Sequence, residues 1–252
     1  MSRALVINPN TSAAMTEDIE RAAQKVFTPP WSYVVARAPS GPESLESWRD
    51  YALAAVDILP LLAGHRNCDG VVLACFGDPG LYSLKELCPV PALGIAEASM
   101  SLALLLGGKF GIVAGMDRAV SLMDSLVRTY GLEARYAGTI SLSIRVRDFE
   151  SDRDATHSRL VAACSHLLAR GADVVLLGCA GLSGYQDELM RCVPVLVIDP
   201  VEAGCRLLKV VVEGGLHTSR GGLFAAPAPQ RMSDLDRLFS SEMVELLKKW
   251  EE

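Results

Sequence analysis

Two cysteines of this chain occupy matching positions in an internal repeat. One copy runs Asp69-Gly-Val-Val-Leu-Ala-Cys75-Phe-Gly-Asp-Pro-Gly-Leu and continues to Cys88 and Glu97. The other runs Asp173-Val-Val-Leu-Leu-Gly-Cys179-Ala-Gly-Leu-Ser-Gly-Tyr and continues to Cys192 and Glu202. In each copy an aspartate stands six residues before the cysteine, a second cysteine thirteen after it, and a glutamate at plus 22 or plus 23. An unbroken aliphatic run of this length fits a strand buried on both faces, and the glycine-containing turn after it fits entry into a helix. The repeat predicts two similar half-domains facing each other, each presenting a thiol to the cleft between them. Thiols on either side of a small substrate suit moving a proton from one face of a carbon to the other.

Short apolar runs alternate with amphipathic segments along the rest of the chain. Strands are expected at 3–8, 32–38, 70–75, 91–95, 110–114, 134–141, 173–178 and 195–198. Helices are expected at 12–26, 43–64, 79–87, 97–106, 117–130, 152–170, 182–191 and 200–214, with a last one at 233–250 beyond the break Ala225-Ala-Pro-Ala-Pro229. Alternation of this kind defines the α/β class. The expected fold is two pseudo-symmetric half-domains, each a mainly parallel four-stranded sheet flanked by helices, with the active site in the cleft. Residues 1–96 and 205–252 would form the first half, the C-terminal helix packing back on it, and 97–204 the second. Asn8 precedes Cys75 by 67 residues and Gly115 precedes Cys179 by 64, so the repeat extends beyond the cysteine motifs.

Ligands of open α/β sheets bind outside the carboxyl ends of the strands, and Cys75 and Cys179 both fall at such an end. A helix N-terminus beyond each would stabilise a thiolate and lower the thiol pKa, leaving one thiol as base and the other as acid. Cys68, Cys88, Cys164, Cys192 and Cys205 read as buried packing residues. The first strand also ends in a turn, Asn8-Pro9-Asn10-Thr11-Ser12. Thr11 or Ser12 could cap the next helix, while Asn10 and nearby backbone N–H groups could bind a carbonyl oxygen. The turn Pro39-Ser-Gly-Pro42 could wall the cleft.

Composition narrows the functional classes. A net charge of −6 without a basic run argues against nucleic acid and anionic membranes as partners. The longest apolar stretch, 100–106, is far short of the ~20 residues a membrane span needs, and no signal-peptide pattern precedes the first strand. A soluble, cytoplasmic protein is expected. Seven cysteines, an odd count without export features, do not suggest a disulfide framework. The four histidines are scattered and metal-ligand spacings are missing, so no metal is expected.

These segments resemble the aspartate/glutamate/hydantoin racemase superfamily, and within it the hydantoin racemases. The resemblance rests on Ile-Asn-Pro-Asn-Thr (7–11), Gly-Pro-Glu-Ser-Leu-Glu-Ser (41–47), Ala-Cys-Phe-Gly-Asp-Pro-Gly-Leu (74–81) and Gly-Ile-Ala-Glu-Ala (94–98). It continues with Leu-Gly-Cys-Ala-Gly (177–181), Ile-Asp-Pro-Val-Glu-Ala (198–203) and Thr-Ser-Arg (218–220). It implies a cofactor-independent racemase of 5-monosubstituted hydantoins, homo-oligomeric as is common in the superfamily. Cys75 and Cys179 would be catalytic, one thiolate taking the C5 proton and the other thiol returning one to the opposite face. Asn8, Asn10, Leu45, Phe76, Gly77, Gly115, Met116, Ala180 and Gly181 would contact the substrate, with N–H groups near 76–77 and 180–181 as oxyanion donors. Relatives often carry small hydroxyl residues where this chain has Ala114-Gly115-Met116-Asp117, and Met116 with Phe76 favours an apolar 5-substituent.

Other readings stay open. An allantoin racemase would look much the same, since allantoin is a 5-ureido-hydantoin, but its polar group would want hydrogen-bond partners. A decarboxylase of the arylmalonate type needs only the later cysteine, and amino-acid racemases need groups for a charged ammonium and carboxylate. A catalytically silent binding or sensor protein on the same scaffold would not need both thiols.

Overall fold

The computed structural model describes residues 1–149 and 151–228. Its first half contains β1 (Arg3–Asn8), α1 (Ala13–Val26), β2 (Ser32–Arg37), α2 (Trp48–Gly64), β3 (Gly70–Leu73), α3 (Leu81–Leu87), β4 (Ala92–Gly94) and α4 (Ile95–Leu106). The second half repeats the order with β5 (Phe110–Ala114), α5 (Asp117–Thr129), β6 (Tyr136–Ser141), α6 (Arg153–Ala169), β7 (Val174–Leu177), α7 (Gln186–Cys192), β8 (Leu196–Ile198) and α8 (Pro200–Glu213). All pairings are parallel, in the strand orders β2-β1-β3-β4 and β6-β5-β7-β8. The expected α/β architecture of two four-stranded sheets is thus present.

The inner strands β1, β3, β5 and β7 are buried on both faces, and their alternation sorts the core into three parts. From β1, β3, β5 and β7, one set of side chains (Ala4, Val6, Val72, Ile112, Val174 and Leu176 among them) enters a core shared by both sheets with α1, α4, α5 and α8. The alternate residues Leu5, Ile7, Val71 and Leu73 pack under α2 and α3. Val113, Val175 and Leu177 pack under α6 and α7. The two sheets are therefore fixed relative to one another by common packing.

Capping residues set the helix starts. Ser12 accepts from the Met15 N–H at 3.2 Å, so Ser12 rather than Thr11 caps α1, and Ser47 caps α2 through the Asp50 N–H. The helix expected from 43 consequently begins at Trp48, and 43–47 is loop. The expected boundaries at 96/97 and 204/205 fall inside α4 and α8. Glu97 and Glu202, matched in the repeat, both serve in ion pairs: Glu97 with Lys85, Glu202 with Lys25 and Arg206 at 2.9 Å each. Cys192 is exposed at the end of α7, not buried, while Cys68, Cys88, Cys164 and Cys205 are buried as expected. Among the described residues, no helix is long and apolar enough to cross a membrane. The helix expected at 233–250 lies outside the described residues.

Candidate active site

Each sheet changes direction at its centre. The chain passes from β1 outward to β2 and returns to β3 on the other side of β1; β5, β6 and β7 do the same. Such switch points open a crevice beyond the carboxyl ends of the two central strands. The hydrogen bonding there is duplicated. The Ala74 N–H donates to Ile7 O and the Gly178 N–H to Val113 O, both at 2.8 Å, leading each chain to its cysteine. The Ala38 N–H donates to Asn8 O at 2.9 Å and the Leu142 N–H to Ala114 O at 2.8 Å, closing each sheet on the far side.

The four strand ends converge on one small cavity of about 50 Å³. Cys75 and Phe76 line it from the first half, and Gly115, Met116, Cys179 and Ala180 from the second. Asn10 and Leu45 also reach it, so eight of the eleven residues marked by the sequence meet there. A larger cavity of about 460 Å³ adjoins it, sharing Met15, Glu46, Met116 and Val146, and includes Gly181, Ser12, Asp18, Glu43 and Arg145. Asn8 and Gly77 face neither. The Asn8 amide donates to Thr16 Oγ1 at 2.9 Å and its oxygen accepts from the Asn10 N–H at 3.3 Å, so it braces the turn. Asn10 in turn accepts from the Ser12 N–H at 2.9 Å, and its amide donates to Met15 Sδ at 2.9 Å, a weak acceptor.

Within the two segments expected to supply oxyanion donors, the N–H groups of Gly77 and Gly181 favour the neighbouring thiolates. The Gly77 N–H acts on the Cys75 thiol and the Gly181 N–H on that of Cys179, while the Leu182 N–H donates to the Cys179 carbonyl oxygen at 3.0 Å. Burial nevertheless outweighs the glycine donors. The Cys179 thiol is pushed up to about 11, chiefly by burial and further by the Glu46 and Asp18 carboxylates. The Cys75 thiol is pushed up more strongly, by burial first and then by Cys179. The expected lowering by helix dipoles is therefore reversed. Neither cysteine lies in the first turn of the following helix: α3 begins six residues after Cys75 and α7 seven after Cys179.

Several lining groups were not legible as site residues. Tyr51 projects from the first turn of α2, Met15 from α1, Met123 from α5 and Val146 from the segment after β6. Each lies on an element whose local pattern is that of ordinary packing, and only the fold brings it to the cysteines. Asp78, three residues after Cys75, is buried and accepts from the Tyr130 hydroxyl at 2.6 Å and from the Glu97 and Ala96 N–H groups at 2.8 and 3.2 Å. It thereby ties the Cys75 turn to the start of α4. In the second half, Asp199 does the equivalent work from the other side, accepting from the Val201, Glu202 and Gly184 N–H groups and the Ser183 hydroxyl. Among the described residues, no three His, Cys, Asp or Glu side chains converge as a metal site requires.

Residues 5–208 match the family model described as Asp/Glu/Hydantoin racemase. The chain is 35% identical to a hydantoin racemase of Paenarthrobacter aurescens over 91% of this chain and 99% of that one. It is 34% identical to a hydantoin racemase of Pseudomonas sp. (strain NS671), over 85% and 88% of the two chains. An allantoin racemase structure from Klebsiella pneumoniae superposes with a TM-score of 0.89 at 34% identity, covering 95% of this chain and 100% of that one. With matching sequence across both switch points, the chain belongs to the Asp/Glu/hydantoin racemase family.

Proposed function

We propose that this protein racemises 5-monosubstituted hydantoins without a cofactor, using Cys75 and Cys179 as its two bases. The observation that carries the reading is that these thiols come from opposite halves yet line one cavity, each with a glycine N–H, of Gly77 or Gly181, that favours its thiolate. In one direction a thiolate takes the C5 proton, and the C–H electron pair moves into the ring as an enolate of the neighbouring carbonyl. The thiol on the other side then gives its proton to the opposite face of C5. The second sulfur is left as the thiolate, ready for the reverse turnover. High thiol pKa values make the thiolate scarce but strongly basic once formed, which suits a weak carbon acid. Leu45, Phe76, Met116 and Ala180 act as walls for the flat ring, and Asn10 as a partner for a ring oxygen.

Allantoin is a second substrate reading. The outer cavity favours it, because Ser12, Glu43, Ser44, Glu46 and Arg145 offer partners to a ureido group beyond the apolar ring site. The test is proton NMR in deuterated water with single enantiomers of 5-benzylhydantoin and allantoin. Wild-type protein is expected to exchange the C5 hydrogen and lose optical purity, and the faster substrate names the subclass. Cys75→Ser and Cys179→Ser should each exchange mainly one enantiomer without inverting it. No exchange above the protein-free rate with either compound would reject racemisation, and equal exchange of both enantiomers by either variant would reject the two-thiol assignment.

A further inference from the structure

The proposed reaction places a negative charge on an oxygen, which calls for a hydrogen-bond donor in the cavity. The Gly77 and Gly181 N–H groups favour charge on the two sulfurs. One hydroxyl in the cavity is not committed. Tyr51 lines the same space as both cysteines, and among the described residues its hydroxyl has no protein hydrogen-bond partner. Its ring is fixed from two sides. Trp48, one turn earlier, meets it edge to face with centroids 5.8 Å apart. On the other side the ring lies over Gly77, where a Cβ would come within 2.3 Å of both Tyr51 Cζ and its hydroxyl oxygen. Glycine at 77 thus makes room for this phenol, two residues beyond the Cys75 sulfur.

We propose that the Tyr51 hydroxyl is a catalytic hydrogen-bond donor to the enolate oxygen formed when the C5 proton leaves. This rests on the racemase reading above. The phenol transfers no proton: the thiolate takes the proton from C5, the C–H electron pair moves into the ring and onto the carbonyl oxygen, and the O–H of Tyr51 shortens its bond to that oxygen as the charge grows. Burial, and then the two cysteines, hold the phenol well above its ordinary pKa, so it keeps its proton throughout the working range. A neutral donor held by packing in a small cavity needs no reorganisation when the charge appears, which is where such donors are most effective.

Tyr51→Phe keeps the ring against Trp48 and Gly77 and removes only the donor. Kinetic constants for racemisation of 5-methylhydantoin and 5-phenylhydantoin, with thermal unfolding measured alongside, test the role. The variant should unfold at the wild-type temperature and lose about 100-fold in kcat on 5-methylhydantoin, with KM changed less than about threefold. On 5-phenylhydantoin, whose aryl group itself spreads the carbanion charge, the loss should shrink to about tenfold or less. A kcat within twofold of wild type on both substrates would overturn the assignment. So would equal losses on both, because a misplaced cysteine affects them alike. Racemisation by wild type with an unaffected Tyr51→Phe rejects the donor alone; no racemisation by wild type rejects the function and the donor with it.

Discussion

Alkylation of Cys179 as a function of pH measures the balance between burial and the backbone donors directly. Burial carries this thiol from an ordinary 9.0 to about 11, although the Gly181 and Leu182 N–H groups pull the other way. Two units correspond to about 3 kcal/mol of added cost for ionisation. At pH 8 the thiolate fraction is then about 0.1%, against about 10% for a thiol at the ordinary value. The thiolate is the nucleophile, so labelling should follow that fraction. In the Cys75→Ser protein, iodoacetamide modification of the Cys179 peptide, followed by mass spectrometry, should rise about tenfold per unit between roughly pH 7.5 and pH 10 without levelling. The exposed Cys192 supplies an internal check on reagent in the same digest. Because the Glu46 carboxylate contributes to the rise, Glu46→Gln should move the curve to lower pH. A plateau reached by about pH 9.5 would refute the argument that burial dominates this site, and would restore the thiol to near its unperturbed range.

Asp78 gives a stability test of opposite convenience, since its carboxyl is held up to about 7, chiefly by burial, against an ordinary 3.8. Its contribution is therefore fully present below about pH 4 and is lost as pH rises through about 7, a change of about 4 kcal/mol. Urea unfolding at pH 4 and pH 8.5 should show a smaller drop with rising pH in Asp78→Asn than in wild type; an unchanged drop would remove Asp78 from the account. Gly178→Ala should damage both fold and activity, because the new Cβ would lie 2.6 Å from the Val113 carbonyl oxygen, a backbone atom of the central ladder. A loss of about 1–3 kcal/mol in unfolding free energy is expected, and wild-type stability together with wild-type turnover would contradict the packing described for the Cys179 strand.

The positions of all eight strands were legible because each is a short aliphatic run bounded by turn residues, as in Val71-Val72-Leu73 and Val174-Val175-Leu176-Leu177. Helix starts were less so. Ser47 in front of Trp48 marks the true beginning of α2, but the polar run 43–46 reads equally as a first helical turn. After Cys179 the chain makes one short turn at Ala180–Leu182 before α7 begins at Gln186, a delay that hydrophobic spacing does not encode. Of the cavity, the strand-end residues were readable from the repeat, whereas Tyr51, Met15 and Val146 arrive from separate elements through tertiary packing alone. The thiol pKa direction differs from the expectation for a related reason: a following helix can be inferred from spacing, but the depth of burial that opposes it depends on both halves at once.

The two aspartates that tie the cysteine turns to the following helices make the halves non-interchangeable parts. In the first half the carboxylate is carried by the turn, as Asp78, and Gly94 at the strand end leaves it space: a Cβ on Gly94 would come 2.2 Å from that carboxyl. In the second half the strand end carries it, as Asp199, and the turn supplies only Ser183 and Gly184 as donors. Grafting the 76–80 turn in place of 180–184 would set two acids against one helix start, and the reverse graft would leave the other start with none. Any recombination of these halves, by nature or by design, must therefore carry turn and strand end together as one heritable unit.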